Sequence, residues 1–291
     1  MHPRMAQWIS AAPVLTDGAW GTELHQRGLE VGGCPDAWNL THPEQVEEVA
    51  RSYVEAGSQI ILTNTFGSNR LVLARHGLAD QVVALNRAGV EISRRAAQGR
   101  AAVFASVGPT GVMLMMGQTP PEEVRAAFAE QVRALAEAGA DAIVLETFSD
   151  PAEILLAIHA AKETGLPVVG CMVFDSGKER DRTMMGTTVE QAAGQLAEAG
   201  VDALGANCGQ GIEGFVKITQ RLRAAAHLPL WIKPNAGLPE IVDGRTVYAQ
   251  TPEKFAEVAR RLVELGATFI GGCCGTTPEF IRALRAKLDA R

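Results

Sequence analysis

The stretch EAGADAIVLET, residues 137–147, recurs in three related forms along the chain: EAGSQIILTNT (55–65), EAGVDALGANC (198–208) and ELGATFIGGCC (264–274). Each form begins as the Ala- or Glu-rich end of a helical pattern, passes through a glycine and continues as an apolar run of strand length. A glycine just after a helix supplies the left-handed conformation that ends it. The repeated stretch therefore predicts four joints between a helix and the strand that follows it.

Apolar runs of strand length alternate with helical patterns along the rest of the chain. We predict strands at Val14–Asp17, Gln59–Thr65, Val103–Gly108, Ala142–Thr147, Pro167–Phe174, Ala203–Cys208, Leu230–Asn235 and Thr268–Cys273. We predict helices at Pro43–Ala56, Asp80–Ala97, Pro121–Ala138, Pro151–Glu163, Val189–Ala199, Ile212–Ala225, Pro252–Leu265 and Pro278–Asp289. Asp150, Thr251 and Thr277 each precede a proline and supply the side-chain oxygen expected at the start of a helix.

Eight strand–helix units indicate an α/β protein, and their number fits a single (β/α)8 TIM barrel. We expect one domain over residues 1–291, with residues 1–12 as a short N-terminal extension. A doubly wound open sheet is the alternative fold. It usually has fewer strands, and no G-x-G-x-x-G follows the first predicted strand.

The composition of the chain excludes several classes of function. A net charge of -6 and scattered basic residues leave no footprint for nucleic acid. The N-terminus lacks a signal-peptide pattern and no apolar run of about 18 residues occurs, so we expect no membrane segment and a cytoplasmic protein. Five cysteines, an odd number, indicate metal binding or reactive thiols rather than a set of disulfides.

The barrel prediction brings the C-terminal ends of the strands together, where active sites of such barrels lie. Most residues expected there carry polar or thiol groups: Asp17-Gly18, Asn64-Thr65, Gly108-Pro109, Glu146-Thr147, Asp175, Asn207-Cys208, Asn235 and Cys273-Cys274. We therefore expect a functional site on this rim of the barrel.

Three cysteines fall at nearby strand ends, Cys208 after the sixth strand and Cys273 and Cys274 after the eighth. Three thiolates make a soft site that selects zinc over magnesium or calcium, and three protein ligands leave a fourth position open. Neighbouring residues of a regular strand point to opposite faces, so both vicinal cysteines reach one metal only where the strand breaks down. The glycines around the pair provide that freedom.

The charge of such a site indicates alkyl transfer rather than hydrolysis. Zinc with three thiolates is net negative, which makes it a poor Lewis acid for water or carbonyl groups. A substrate thiol with an unbound pKa of roughly 8.5 would instead be held there as the reactive thiolate. The alternatives are packing of buried cysteines and a strained vicinal disulfide between Cys273 and Cys274. Cys34 and Cys171 fit ordinary loop and strand positions.

Eight motifs cover nearly the whole chain in order. They are TDGAWGTEL (16–24), WNLTHPEQV (38–46), EAGSQIILTNTFGSNR (55–70), SVGPTG (106–111), LETFSD (145–150), GANCGQG (205–211), PNAGLP (234–239) and GGCCGTTPEFIRAL (271–284). Together they resemble the homocysteine S-methyltransferase family, which includes betaine–homocysteine methyltransferase and the homocysteine-binding domain of cobalamin-dependent methionine synthase. The resemblance implies zinc-dependent transfer of a methyl group to the thiol of homocysteine, which forms methionine.

The resemblance also implies roles for individual residues. Cys208, Cys273 and Cys274 match the zinc ligands of the family. Asp17 and Glu146 match the carboxylates that bind the ammonium group of homocysteine, and an ammonium that leaves water needs such partners.

Further positions follow from the same motifs. Ser106 and Gly108 lie in SVGPTG, whose backbone N–H groups suit the substrate carboxylate. Asn207, next to the first cysteine, is placed with the substrate-binding residues. Asn235 matches the side chain that caps the zinc, as a possible fourth ligand when substrate is absent.

Several methyl donors are compatible with the sequence. A sulfonium or betaine-type donor would react directly, whereas methylcobalamin would arrive on a partner. No corrinoid-binding D-x-H-x-x-G occurs and no residues are left for a folate domain, so a cobalamin route requires a corrinoid protein or a folate-binding partner. The methionine-rich loop at residues 110–120 fits a lid over the donor or, more simply, packing.

Two other functions are alternatives. Lys233, near the end of the seventh strand, suits a Schiff-base lyase or aldolase barrel, although a lysine that reaches solvent along the rim explains it as well. The chain also fits a thiol-binding subunit that is inactive without a corrinoid partner.

Overall fold

Parallel strands arranged around a ring form the centre of the protein. The computed structural model describes residues 1–242 and 245–290, so Arg291, the last residue of the predicted domain, lies outside the described residues. The strands are β1 (Val14–Leu15), β2 (Ile60–Leu62), β3 (Ala102–Val107), β4 (Ala142–Phe148), β5 (Val168–Met172), β6 (Ala203–Gly211), β7 (Leu230–Asn235), β8 (Pro239–Val242), β9 (Arg245–Tyr248) and β10 (Ala267–Ile270). All except β8 and β9 form one sheet, in the order β1-β10-β7-β6-β5-β4-β3-β2, and every pairing in it is parallel.

The two ends of this sheet meet through hydrogen bonds. The Gln59 N–H donates to the Leu15 carbonyl at 2.8 Å, and the Leu15 N–H donates to Gln59 Oε1 at 3.0 Å. These contacts join β1 to the start of β2 and close the ring. The predicted TIM barrel is therefore confirmed, and the open doubly wound sheet is excluded.

Helices cover the outside of the barrel. They are α1 (Pro3–Ile9), α2 (Gly21–Gln26), α3 (Trp38–Thr41), α4 (Pro43–Ala56), α5 (Arg70–Ala74), α6 (Val82–Ala97), α7 (Pro121–Glu137), α8 (Pro151–Lys162), α9 (Val189–Glu198), α10 (Ile212–Ala225), α11 (Pro252–Glu264) and α12 (Pro278–Asp289). The sequence missed α1, α2, α3, α5 and the β8–β9 hairpin, because each is too short to show a full period. None of the described helices combines the length and apolarity needed to span a membrane.

The ends of the helices use the signals read from the sequence. The side chains of Asp150, Thr251 and Thr277 each accept a backbone N–H in the first turn of the helix that follows. The glycines of the repeated stretch have positive φ, for example 104° at Gly57 and 102° at Gly266. Because other residues disfavour that conformation, glycine lets each helix stop just before the next strand begins.

Large aromatic side chains fill the interior of the barrel. Phe104, Trp231 and Phe269 are fully buried, with ring centroids 5.8 Å apart for Phe104–Trp231 and 5.2 Å for Trp231–Phe269. Helix α1 closes the N-terminal end of the barrel, where Trp8 packs edge-on against Phe104 at 4.7 Å and Met5 is fully buried. The segment expected to be an extension therefore contributes to the core.

Replacing Met5 by alanine should lower the free energy of unfolding by about 2–5 kcal/mol, because the change leaves a cavity under the barrel. Chemical denaturation followed by circular dichroism measures the loss. Met116→Ala is the control, since Met116 is 60% exposed and its loss should cost less than about 0.5 kcal/mol. Equal losses for the two variants would show that α1 does not stabilise the barrel.

Candidate metal and thiol-binding site

Three cysteine side chains converge at the C-terminal rim of the barrel. Cys208 lies in β6, and Cys273 and Cys274 follow β10. Their sulfur atoms lie within 4.8 Å of one another, with Cys208 Sγ 3.8 Å from Cys274 Sγ. A tetrahedral ion with sulfur ligands at about 2.3 Å holds its sulfurs roughly 3.8 Å apart. Among the described residues, this is the only cluster of His, Cys, Asp or Glu with such a spacing.

All five cysteines are free thiols. The vicinal disulfide between Cys273 and Cys274 does not form in this structure. Cys171 is fully buried in β5, and Cys34 is half-buried in a loop, which agrees with the ordinary packing roles expected for both.

Irregular backbone directs Cys208 to the cluster. The register of β6 shifts after Asn207, and Cys208 has a φ of 60°. Thr147, near the end of β4, has a φ of 66°. The Asn207 side chain links the two places, since its Oδ1 accepts from the Thr147 N–H at 2.8 Å and its Nδ2 donates to Thr147 Oγ1 at 2.7 Å. Left-handed residues other than glycine cost about 1–3 kcal/mol, and such strain concentrates at functional sites.

The vicinal cysteines reach the cluster because β10 ends at Ile270, three residues before the predicted end of that strand. Gly275, directly after the pair, has a φ of 80°. The ring of Tyr248, from the β8–β9 hairpin, packs on Gly275 so closely that an added Cβ would collide with it. Tyr248 therefore covers one side of Cys274, and glycine after the pair is required by both conformation and contact.

Three thiols this close cannot all lose their protons unless a cation is present. Hydrogen bonds from Cys273 and Cys274 lower the pKa of Cys208. The hydrogen bond to Cys208 is the largest cause of the raised pKa values of Cys273 and Cys274. The first thiolate thus forms readily, and its charge opposes the second and third. A divalent cation would remove that opposition, because each thiolate would face a positive charge.

A buried ion pair lies on the same rim. Lys233 Nζ, from β7, is 2.5 Å from Asp17 Oδ1, and both side chains are almost completely buried. Asp17 Oδ2 accepts two further hydrogen bonds, from Trp20 Nε1 at 2.8 Å and from the Leu62 N–H at 2.7 Å. The Asp17 carboxylate is therefore held by three donors from three parts of the barrel.

The position of Lys233 corrects the interpretation that it reaches solvent along the rim, because its exposed fraction is 1%. Desolvation favours the neutral amine, but the carboxylates of Asp17 and Glu146 outweigh it and raise the pKa of Lys233. An amine must be neutral to attack a carbonyl group. The charged state of Lys233 therefore argues against a Schiff-base lyase or aldolase.

Glu146, in β4, presents a second buried carboxylate on the rim. Its Oε1 accepts a hydrogen bond from Ser106 Oγ at 2.5 Å. The pKa of Glu146 is raised, because its burial outweighs the charge of Lys233 and the hydrogen bond from Ser106, which both lower it. Glu146 accepts one hydrogen bond, whereas Asp17 accepts three, two from side chains and one from a backbone N–H, so Glu146 is the more available of the two predicted ammonium-binding carboxylates.

Two backbone N–H groups at the end of β3, those of Ser106 and Gly108, have partners within the barrel. The Ser106 N–H donates to Thr63 Oγ1 at 3.1 Å, and the Gly108 N–H donates to the Phe66 carbonyl at 2.8 Å. These two N–H groups of SVGPTG are therefore already engaged within the barrel. Ser106 orients Glu146 through its hydroxyl instead, and a direct contact of Ser106 or Gly108 with substrate stays a prediction.

Asn235, the last residue of β7, lies next to the cysteine cluster. Its side chain hydrogen-bonds Cys208 and contributes to the lowered pKa of that thiol. Its Oδ1 is buried and accepts no hydrogen bond from the described residues. An amide oxygen in that state has a lone pair available for a cation. The side chain predicted as a possible fourth ligand therefore lies beside the cysteine cluster, and its role as a ligand stays a prediction.

A cavity of about 150 Å³ opens beside Thr147, and methionines form much of its wall. Met113 and Met115 come from the loop after β3, and Met184 and Met185 from the loop after β5. Met115 is 70% exposed and Met184 is 63% exposed. The interpretation of the first loop as simple packing is therefore wrong, because these side chains surround a cavity rather than fill the core.

Sequence reasoning missed three features of the site. Nothing local marks Thr147 as a left-handed residue or places Tyr248 over the cysteines. The pair between Lys233 and Asp17 joins residues 216 positions apart. The predicted closure of the barrel is the signal that would have found it, since the eighth strand lies between the first and the seventh and brings their ends to the same side.

The chain matches the model of the family described as homocysteine S-methyltransferase over residues 14–288. The chain belongs to this family. The resemblance seen in the motifs is confirmed.

Relatives and solved structures agree with this assignment. The chain is 33% identical to methionine synthase of Mycobacterium leprae over 97% of its length and 31% identical to that of Mycobacterium tuberculosis over 96%, and it spans 25% of each. The homocysteine methyltransferase MmuM from Escherichia coli, in its oxidised form, has a TM-score of 0.81 and 28% identity, covering 98% of this chain and 100% of MmuM. The metallated form of MmuM gives a TM-score of 0.79 and 28% identity, covering 94% and 96%.

Titration of the purified protein with Co²⁺ should reveal one site per chain, with the absorption of a tetrahedral thiolate complex, because three sulfurs already lie within 4.8 Å of one another. Cys208→Ser should weaken metal binding by more than the roughly 10–100-fold typical of outer partners. Cys34→Ser, in a loop, should bind metal normally. Full metal affinity in Cys208→Ser would exclude this cluster as the site.

Proposed function

We propose that the protein transfers a methyl group to the sulfur of homocysteine and forms methionine, with Zn²⁺ held by Cys208, Cys273 and Cys274. The observation that carries the proposal is the three-thiol cluster, with its sulfurs within 4.8 Å of one another, on the rim of a barrel of this family. Zinc in this position would keep the substrate thiol deprotonated at neutral pH. The free state of all five thiols fits the proposed cytoplasmic location.

The residues around the cluster would bind the amino acid part of homocysteine. Glu146 accepts the substrate ammonium, oriented by the hydroxyl of Ser106, and Asp17 places a second carboxylate on the same rim. Asn207 lies between Thr147 and Cys273, with its Nδ2 3.8 Å from Cys273 Sγ, so it fixes the wall along which the substrate lies. This arrangement joins a thiol-binding end and an ammonium-binding end in one site.

Methyl transfer is a displacement at carbon. The substrate sulfur, already without its proton, forms a bond to the methyl carbon while the bond from that carbon to the donor breaks. The electron pair of the broken bond leaves with the donor, so a sulfonium or quaternary ammonium donor departs as a neutral molecule. The chain contributes position, because in-line alignment of the two reacting groups accelerates such a step strongly.

The methionine-lined cavity beside Thr147 provides a path for the donor. Its volume of about 150 Å³ suits a small sulfonium or betaine-type compound. The exposed methionines around it also suit a corrinoid protein that presents methylcobalamin to the rim. Similarity to a quarter of each methionine synthase supports keeping the corrinoid or folate-binding partner in the proposal.

The structure argues against one of the two alternative functions and is compatible with the other. The lyase is disfavoured because Lys233 is buried in an ion pair with Asp17. A thiol-binding subunit that turns over only with a corrinoid partner uses the same cluster and the same substrate, so it is distinguished by assay rather than by geometry.

Binding of homocysteine to the zinc-loaded protein at pH 7 should release about one proton per site, since a free thiol with a pKa of roughly 8.5 is protonated there and would bind as thiolate. Release should fall towards zero as the pH rises past that pKa. Calorimetry in buffers of different ionisation enthalpy measures the number. Binding without proton release at pH 7 would contradict thiolate ligation.

Methionine formation tests the whole proposal. The zinc-loaded protein is incubated with homocysteine and, separately, with a sulfonium donor, betaine and methylcobalamin with and without a corrinoid protein. We expect methionine with at least one donor and none with Cys208→Ser, whereas Cys34→Ser should retain the wild-type rate. Product that appears only with the corrinoid protein would identify the partner-dependent form. No methionine under any condition would overturn the proposal.

A further inference from the structure

The carboxylate of Asp17 has little capacity left for a substrate. A carboxylate offers about four lone-pair positions. Lys233 Nζ, Trp20 Nε1 and the Leu62 N–H fill three of them at 2.5, 2.8 and 2.7 Å. The Asp17 side chain is also fully buried. A substrate ammonium approaching it would have to compete with an ammonium that the protein already holds there.

Lys233 also changes the charge of the site. Two free carboxylates would place two negative charges around the substrate ammonium, and Lys233 cancels one of them. Because a buried charge is only weakly screened, the Lys233 ammonium would repel a second ammonium at Asp17. Glu146, whose Oε1 accepts only from Ser106 Oγ, has acceptor capacity left on its other oxygen.

From this geometry we infer that Lys233 is a specificity-determining residue: it occupies Asp17, so that Glu146 alone binds the ammonium of the substrate. The inference rests on the proposed function and deepens it. A substrate ammonium then contributes less binding free energy in this site than it would in a site with two free carboxylates. Thiols of homocysteine length that carry a carboxylate but no ammonium belong to its substrate class.

The preference of the site for a substrate ammonium can be measured with two thiols. Homocysteine and 4-mercaptobutyrate share the thiol, the chain length and the carboxylate, and only homocysteine carries an ammonium. The preference for ammonium is the Kd of 4-mercaptobutyrate divided by the Kd of homocysteine, each measured from the absorption change of the Co²⁺-loaded protein. Changes in metal affinity or stability affect both thiols, so they cancel in the ratio.

Lys233→Met removes the charge and keeps a long apolar side chain, and we expect it to raise the preference for ammonium about tenfold or more, because Asp17 becomes free to accept a charge-assisted hydrogen bond. Lys254→Met, at an exposed position of α11, is the matched control and should leave the ratio within about twofold of wild type. An unchanged or lower ratio in Lys233→Met would overturn the inference.

The double variant Asp17→Asn/Lys233→Met covers the case in which the single variant fails to fold, since it leaves no unpaired buried charge. Its ratio should match the wild type within about twofold, because Glu146 binds the ammonium alone in both. A tenfold fall would show that Asp17 binds the substrate ammonium despite Lys233, and would overturn the inference. If neither thiol alters the wild-type Co²⁺ absorption, thiol ligation fails, and the inference falls with the proposed function. If both thiols bind, thiol ligation is supported whatever the ratio is, and the ratio tests the inference alone.

Discussion

Three sulfur atoms that lie within 4.8 Å of one another constrain everything else on the rim. One comes from β6 and two follow β10, and β7 lies between these strands in the sheet. Because these three strands are parallel neighbours, their C-terminal ends lie at the same edge of the sheet. A cation would relieve the mutual repulsion of three thiolates, and Asn235, whose Oδ1 is buried without a donor among the described residues, lies beside Cys208.

The barrel could be predicted almost entirely from the sequence, because its evidence is periodic and repeated. Four similar joints, each with a glycine, determine where strands begin, and the structure bears out Leu230–Asn235, Pro43–Ala56 and Ile212–Ala225 without change. Short elements without a period escaped prediction. The N-terminal helix α1 is one of these, and its contribution to the core follows only from the position of Met5 and Trp8 under the barrel.

The candidate site also has a part that could be predicted from the sequence and a part that could not. Residue type and strand position suffice to bring together Cys208, Cys273 and Cys274, since cysteines have few reasons to gather at strand ends. The states of polar groups are a different matter, because they depend on partners distant in sequence. Whether the N–H of Gly108 is free, or whether Lys233 is charged, follows from Phe66 and Asp17, which only the folded barrel brings near.

Asp17 takes part in closing the barrel as well as in the site. Its Oδ2 accepts the Leu62 N–H, which ties the end of β1 to β2 at the seam where the sheet closes on itself. A change at this position therefore alters the closure of the barrel and also removes the partner of Lys233. Lys233 contributes a charge to the site but no hydrogen bond between β1 and β2, so it does not take part in closing the barrel. A redesign of the thiols that this barrel accepts would therefore change Lys233 and keep Asp17.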